Sequence, residues 1–124
     1  LGERVREAEL IVVGKVTRID TTVGQTRRIV SEHLPDLRQA SLTVSEVLKG
    51  ELAGNEVAFL FSASKDIQWY QAPKFSPGDE GIFLLNKDTK GLERFGVGPT
   101  TNTLLHRLDY QPSDKLDLIK SLLR

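Results

Sequence analysis

Residues 66–75, DIQWYQAPKF, hold the only tryptophan of the chain together with a tyrosine and a phenylalanine. Trp69, Tyr70 and Phe75 sit beside Gln68, Gln71 and Lys74 in a stretch that does not alternate like a strand. Rigid aromatic rings flanked by amides and a cation suit recognition, because Trp and Tyr bury large area while losing little conformational entropy. Trp69, Tyr70, Lys74 and Phe75 are therefore the candidate contact residues for a protein or peptide partner. The competing reading folds the segment back as a lid, with Trp69 closing one end of a core.

Other residues that suggest chemistry do not assemble into a set. His33 lies in SEHLPD with Glu32 and Asp36, yet six contiguous loop residues rarely supply three or four convergent metal donors. They read instead as a proline turn. His106, in LLHRL, reads as a half-buried strand residue facing a helix. Only two histidines are present, they stand far apart, and no serine occupies a nucleophile elbow. Asp79 and Glu80 fall in a turn. FGVGPTTN contains a short G-x-G, but no helix follows to present its amides to a phosphate. The expectation is a protein without a catalytic set, metal site or cofactor, and so not an enzyme.

Composition narrows the classes further. Lys plus Arg and Asp plus Glu number 17 each, without the basic excess of a typical nucleic-acid binder. Arg18, Arg27, Arg28 and Arg38 form a basic stretch, but Phe59 and Phe61 share the face of Val57 and read as core, which leaves no stacking platform. Nucleic-acid binding by a single-strand mode is thus the minority alternative. Absence of cysteine excludes disulfides, thiolate metal sites and a cysteine nucleophile. No apolar run approaches the ~20 residues of a membrane-spanning helix. Methionine is absent too, so the start at Leu1 reads as trimmed. The 124 residues suit one domain, 1–124.

The elements that would position these residues are mostly strands. GERVREAE favours a short helix with Val5 inward. LIVVGKVTRI is a first strand, interrupted by Gly14 and Lys15. Gly14 permits a bend past which the inward face changes, sending Lys15 to water and returning Val16 to the core. The alternative is a close approach of another backbone. Residues 20–37 read as a long connection with a short strand near 26–30. ASLTVSEVLKG alternates until its phase breaks, which predicts a bulge near Ser45 or Glu46. VAFLF follows, with Val57, Phe59 and Phe61 on one face. GIFLL is apolar throughout, as a strand buried on both faces would be. LERFGV and TLLHRLDY are weaker strands. Ser113 is the expected cap of a C-terminal amphipathic helix at about 113–124, where Leu116, Ile119 and Leu123 recur at helical spacing. Together they predict a mainly β fold: a small closed or partly open antiparallel barrel of five to six strands, OB-type, with terminal helices.

EAELIVVGKV, SLTVSEVLKGELAGNEVAF and FSPGDEGIFLL, in this order and spacing, resemble bacterial netrin-like domains, the kind shared with tissue inhibitors of metalloproteinases. The match spans about two thirds of the chain, residues 7–85, and VLKG is its most specific piece. The resemblance implies an OB-type barrel and an exported bacterial module, extracytoplasmic or secreted, that acts on a partner without catalysis. A metalloprotease-inhibitor role is the alternative it suggests. Animal inhibitors of this kind place an N-terminal cysteine on the catalytic zinc, however, and Leu1 stands here.

Overall fold

The computed structural model describes residues 1–20, 37–62, 73–87 and 101–123. Helix α1 (Gly2–Glu7) leads into β1 (Leu10–Asp20), followed by β2 (Leu37–Lys49), β3 (Glu56–Ser62) and β4 (Glu80–Leu85). A two-residue strand β5 (Tyr110–Gln111) and helix α2 (Leu116–Leu122) complete the order. The fold is mainly β: one antiparallel sheet ordered β3-β2-β1-β4-β5.

The sheet is not closed into a barrel. Among the described residues the two-residue β5 pairs with β4 and not with β3, and the link from β3 runs instead through Thr103, which bridges Leu60 of β3 on one side and Asn86, just past β4, on the other. The strand expected over TLLHRLDY is likewise reduced to that bridge and to β5. Between them His106 is exposed rather than half-buried in a strand. Its Nδ1 accepts from Leu108 N–H at 3.1 Å and starts a 3₁₀ turn, Arg107–Asp109. A side chain that captures a nearby backbone amide competes with strand pairing, and here it wins.

Both faces of the sheet are buried, each against its own cluster. Inside the curve lie Val12, Val16, Leu42, Phe59, Phe61 and Phe83. On the other face Ile11, Ile82 and Leu84 pack beneath the terminal helices, with Val5 from α1 and Ile119 from α2. Strand β4 thus feeds Ile82 and Leu84 to one side and Phe83 and Leu85 to the other, which is why GIFLL is apolar at every position after its glycine. Ser113 makes no capping bond. It opens a 3₁₀ turn, Ser113–Lys115, before α2 begins.

VLKG has a structural task. Lys49 Nζ donates to the carbonyls of Val5 (3.1 Å) and Arg6 (2.7 Å), satisfying the end of α1 where its dipole favours a cation. Gly50 turns at φ +86, where a side chain would strike the Glu9 carbonyl oxygen.

Three bulges shape β1 and β2. Leu48 is extra opposite Ile11 and Val12, Ser45 is extra opposite Val13 and Gly14, and Thr17 is extra between Val16 and Arg18. The expected bulge at Ser45 is present, and its hydroxyl donates to Val13 O at 3.2 Å. Gly14 serves close approach: a Cβ there would lie 2.7 Å from the Thr43 carbonyl oxygen. The inward face does not change at Gly14, since Val12 and Val16 keep to the same cluster across it. It changes at the Thr17 bulge, after which Ile19 packs inward.

Candidate functional site

Of the four nominated contact residues, Trp69 and Tyr70 lie outside the described residues, as does His33. Lys74 is exposed. Phe75 is 7% exposed and sits in the inner core. Its ring stands edge-on to Phe59 (5.2 Å, 82°), Phe61 (5.2 Å, 88°) and Tyr110 (5.0 Å, 87°), the geometry aromatic quadrupoles favour. Phe75 anchors the segment, and Lys74 leaves the core beside it. Next comes Ser-Pro-Gly-Asp, residues 76–79, with Gly78 at φ +100 and Asp79 N–H donating to Ser76 O at 3.1 Å. Pro at the second position and a left-handed Gly at the third make this a type II turn. It delivers Glu80 to the start of β4.

A groove of about 540 Å³ opens on the helix-bearing face of the sheet, beyond the part that the helices cover. Val13, still packed toward the helices, and Ser113 line its helix side, and the Gly14 and Gly81 backbones, paired across β1 and β4, form part of its wall. Lys15 and Thr17 come from β1, Thr43 and Ser45 from β2, and Glu80 from β4. Period-two geometry explains the set: Val13, Lys15 and Thr17 are alternate residues of one strand and share a face. Thr17 also borders a smaller depression of about 190 Å³ that adds Arg18, Ser41 and Glu56.

The hydroxyls divide into two kinds. Thr17 Oγ1 donates to Ser41 O at 3.2 Å and Ser45 Oγ to Val13 O at 3.2 Å, so both serve the bulged backbone. The Thr43 and Ser113 hydroxyls make no hydrogen bond among the described residues and are exposed to a ligand. Lys15 Nζ lies 3.7 Å from Glu80 Oε1, both side chains more than half exposed (56% and 65%). At that distance the pair is not hydrogen-bonded. The two depressions together present Lys15 and Arg18 against Glu56 and Glu80, and among the described residues no aromatic side chain lines either one.

Behind Gly81 lies Tyr110, whose hydroxyl donates to Glu80 O at 2.6 Å. Burial, and then the nearby charges of Asp79 and Glu80, push its phenol above the ordinary tyrosine range. A Cβ on Gly81 would stand 2.8 Å from the Tyr110 ring, so this glycine makes room for the tyrosine that steadies the groove's β4 wall.

A third depression, about 230 Å³, is lined by Arg4, Asn86, Thr103, Leu105, His106 and Asp109. Its charges are spent internally. Arg4 Nε and Nη2 grip the two oxygens of Asp109 at 2.8 and 2.7 Å, and the His106 Nδ1 is taken by Leu108 N–H. Among the described residues no three His, Cys, Asp or Glu side chains converge as a metal site would require.

Gly14, Lys15, Ser45, Glu80 and Ser113 stand out in the sequence only as a bend, a bulge, a turn and a cap, and Thr17 and Thr43 not at all, because outward Thr and Ser on strands read as an ordinary solvated face. The available signal was Ser41, Thr43 and Ser45 at period two, next to the Lys15–Thr17 pair of the neighbouring strand. Comparison of the chain with protein-family models and with curated protein sequences finds no match.

Proposed function

We propose that this chain is a non-enzymatic binding module, exported from a bacterial cell, that engages a protein or peptide partner through the outer groove. The observation that carries the reading is the lining of the groove among the described residues: hydroxyls, one cation and one anion, and no aromatic ring. A single strand of nucleic acid is held by stacking platforms in a basic channel, and this groove offers neither. Extended polypeptide, polar along its backbone and mixed in charge, matches hydroxyl donors and balanced charges. Trp69 and Tyr70, with Lys74, are the proposed second part of the contact.

The fold assigned to the module is a partly open OB-type barrel of the netrin-like kind. Support comes from the strand order β3-β2-β1-β4-β5, from a long bulged β1 that pairs with both halves, and from Thr103 linking β3 to the end of β4. The motifs behind the resemblance also have tasks that suit such a fold, Gly14 at a backbone crossing and Lys49–Gly50 at the end of α1.

Backbone-amide NMR mapping tests the binding. Pools of mixed-sequence peptides are expected to shift the amides of Gly14, Thr17, Thr43 and Gly81 selectively. An oligothymidine that shifts the same amides, with an effect that falls steeply with salt, would replace this reading by nucleic-acid binding. Absence of shifts with every peptide pool would remove the groove as a peptide site.

A further inference from the structure

Resting on the peptide-binding reading, we propose that Lys15 and Glu80 are the residues that determine which segment the groove accepts. The occupant is an extended segment carrying a carboxylate for Lys15 and a cation for Glu80. The two residues face each other directly across β1 and β4, next to the Gly14–Gly81 pair whose backbone walls the groove. Their mutual contact is weak for two reasons, a 3.7 Å separation and high exposure of both side chains, and neither side chain has another bond among the described residues. An exposed pair of this kind contributes little to the fold, so its charges are available to a ligand at small cost.

Neighbouring groups agree with that division of labour. Thr17 and Ser45 are tied to backbone carbonyls and hold the bulges, whereas the Thr43 and Ser113 hydroxyls on the groove wall make no hydrogen bond among the described residues. The groups left to read a partner are thus Lys15, Glu80 and two neutral hydrogen-bonding side chains. A segment with only one sign of charge would satisfy one of the pair and strand the other against a like charge. A segment with both signs, two residues apart and so about 7 Å in extended chain, satisfies both. The Lys15–Glu80 contact opens and is replaced by two contacts to the occupant.

The experiment pans a phage-displayed library of random-sequence peptides against the full chain and against the charge-swapped variant Lys15→Glu/Glu80→Lys. The swap keeps an internal ion pair in place while inverting what a ligand meets. Wild type is expected to enrich peptides with an acidic and a basic residue at fixed spacing. The strongest of these should bind the swapped variant at least about tenfold more weakly, since each charge then meets its like. The swapped variant should enrich the reverse order. Equal binding of the same peptides to both proteins would overturn the assignment and leave the binding module standing. No enrichment by wild type would overturn both. Should the swapped protein fail to fold, Lys15→Gln serves, with loss of the acidic preference alone as the expected result and an unchanged peptide set as the contrary one.

Discussion

The guanidinium of Arg4 closes on the carboxylate of Asp109 with two parallel hydrogen bonds, 2.8 and 2.7 Å, between residues 105 positions apart. The Asp109 side chain is 1% exposed and that of Arg4 24%. One forked contact therefore fastens the first turns of the chain to the 3₁₀ turn that leads into β5. Helix α1 has six residues, too few to persist alone, and needs such fastening. Arg4→Ala leaves a buried carboxylate without its partner and is expected to cost about 3 kcal/mol, the lower end for a broken buried pair. Arg4→Lys restores charge but not the fork, and should recover only part of the loss. Urea unfolding midpoints measure both, and equal stability of Arg4→Ala and wild type would contradict the fastening role.

Phe75 joins strands that are not neighbours in the sheet, β3 with β4 and β5. Its ring meets Phe59 and Phe61 of β3, Phe83 of β4 and Tyr110 of β5. Truncation to Ala empties the middle of this cluster and is expected to cost about 3–5 kcal/mol. Phe75→Leu, which refills most of the volume, should cost clearly less. Thermal unfolding of the two variants separates the cases, and a Phe75→Ala protein as stable as wild type would show that the ring is not an anchor.

Where a residue's neighbours in sequence carry its environment, the fold was readable. Val57, Phe59 and Phe61 alternate because β3 offers one face to the inner core, and GIFLL is apolar throughout because β4 serves two cores. The bulge at Ser45 was visible as a broken phase among apolar residues. The bulge at Thr17 was not, because its one apolar trace, Val16 and Ile19 three residues apart and both inward, is overshadowed by Gly14, which offers an earlier place for the face to change. Segment 103–110 misled for a different reason. Its pattern suits a strand, but His106 caps a turn and Asp109 answers to Arg4, a partner no local window contains. The groove was illegible as a site because Lys15, Thr17, Thr43 and Ser45 become neighbours only through the pairing of β1 with β2 and the bulges in it.

Two glycines separate the effects of space and of backbone angle. Gly14 has an ordinary extended backbone, yet a Cβ would meet the Thr43 carbonyl at 2.7 Å, and backbone cannot move aside as a flexible side chain does. Gly54 has nothing within 4 Å of a Cβ but turns at φ +82. Gly54→Ala should cost about 1 kcal/mol for its left-handed conformation. Gly14→Ala should cost more, about 2–3 kcal/mol, because β1 and β2 must part to admit the methyl. It should also broaden or shift the amide resonances of Lys15 and Val44. Reversal of the order would mean that the β1–β2 crossing at Gly14 is looser than described.

Tyr110 makes stability depend on alkaline pH in a direction that follows from its surroundings. Burial first, and then the charges of Asp79 and Glu80, raise its phenol above the ordinary value of 10.0 that the unfolded chain would show. Between the two values the folded protein holds a proton that the unfolded one has released. The contribution is therefore complete below pH 10 and is lost as pH climbs through the raised folded value. Ionisation also removes the donor to Glu80 O, which lies at 2.6 Å and steadies the β4 wall of the groove. Tyr110→Phe keeps the ring against Phe75 and Phe83 but has no hydroxyl, so it should lose about 1 kcal/mol at neutral pH. Its unfolding free energy should then fall less steeply than wild type above pH 10. Urea titrations at neutral and alkaline pH measure the difference, and parallel slopes for the two proteins would show that the Tyr110 phenol ionises equally well folded and unfolded.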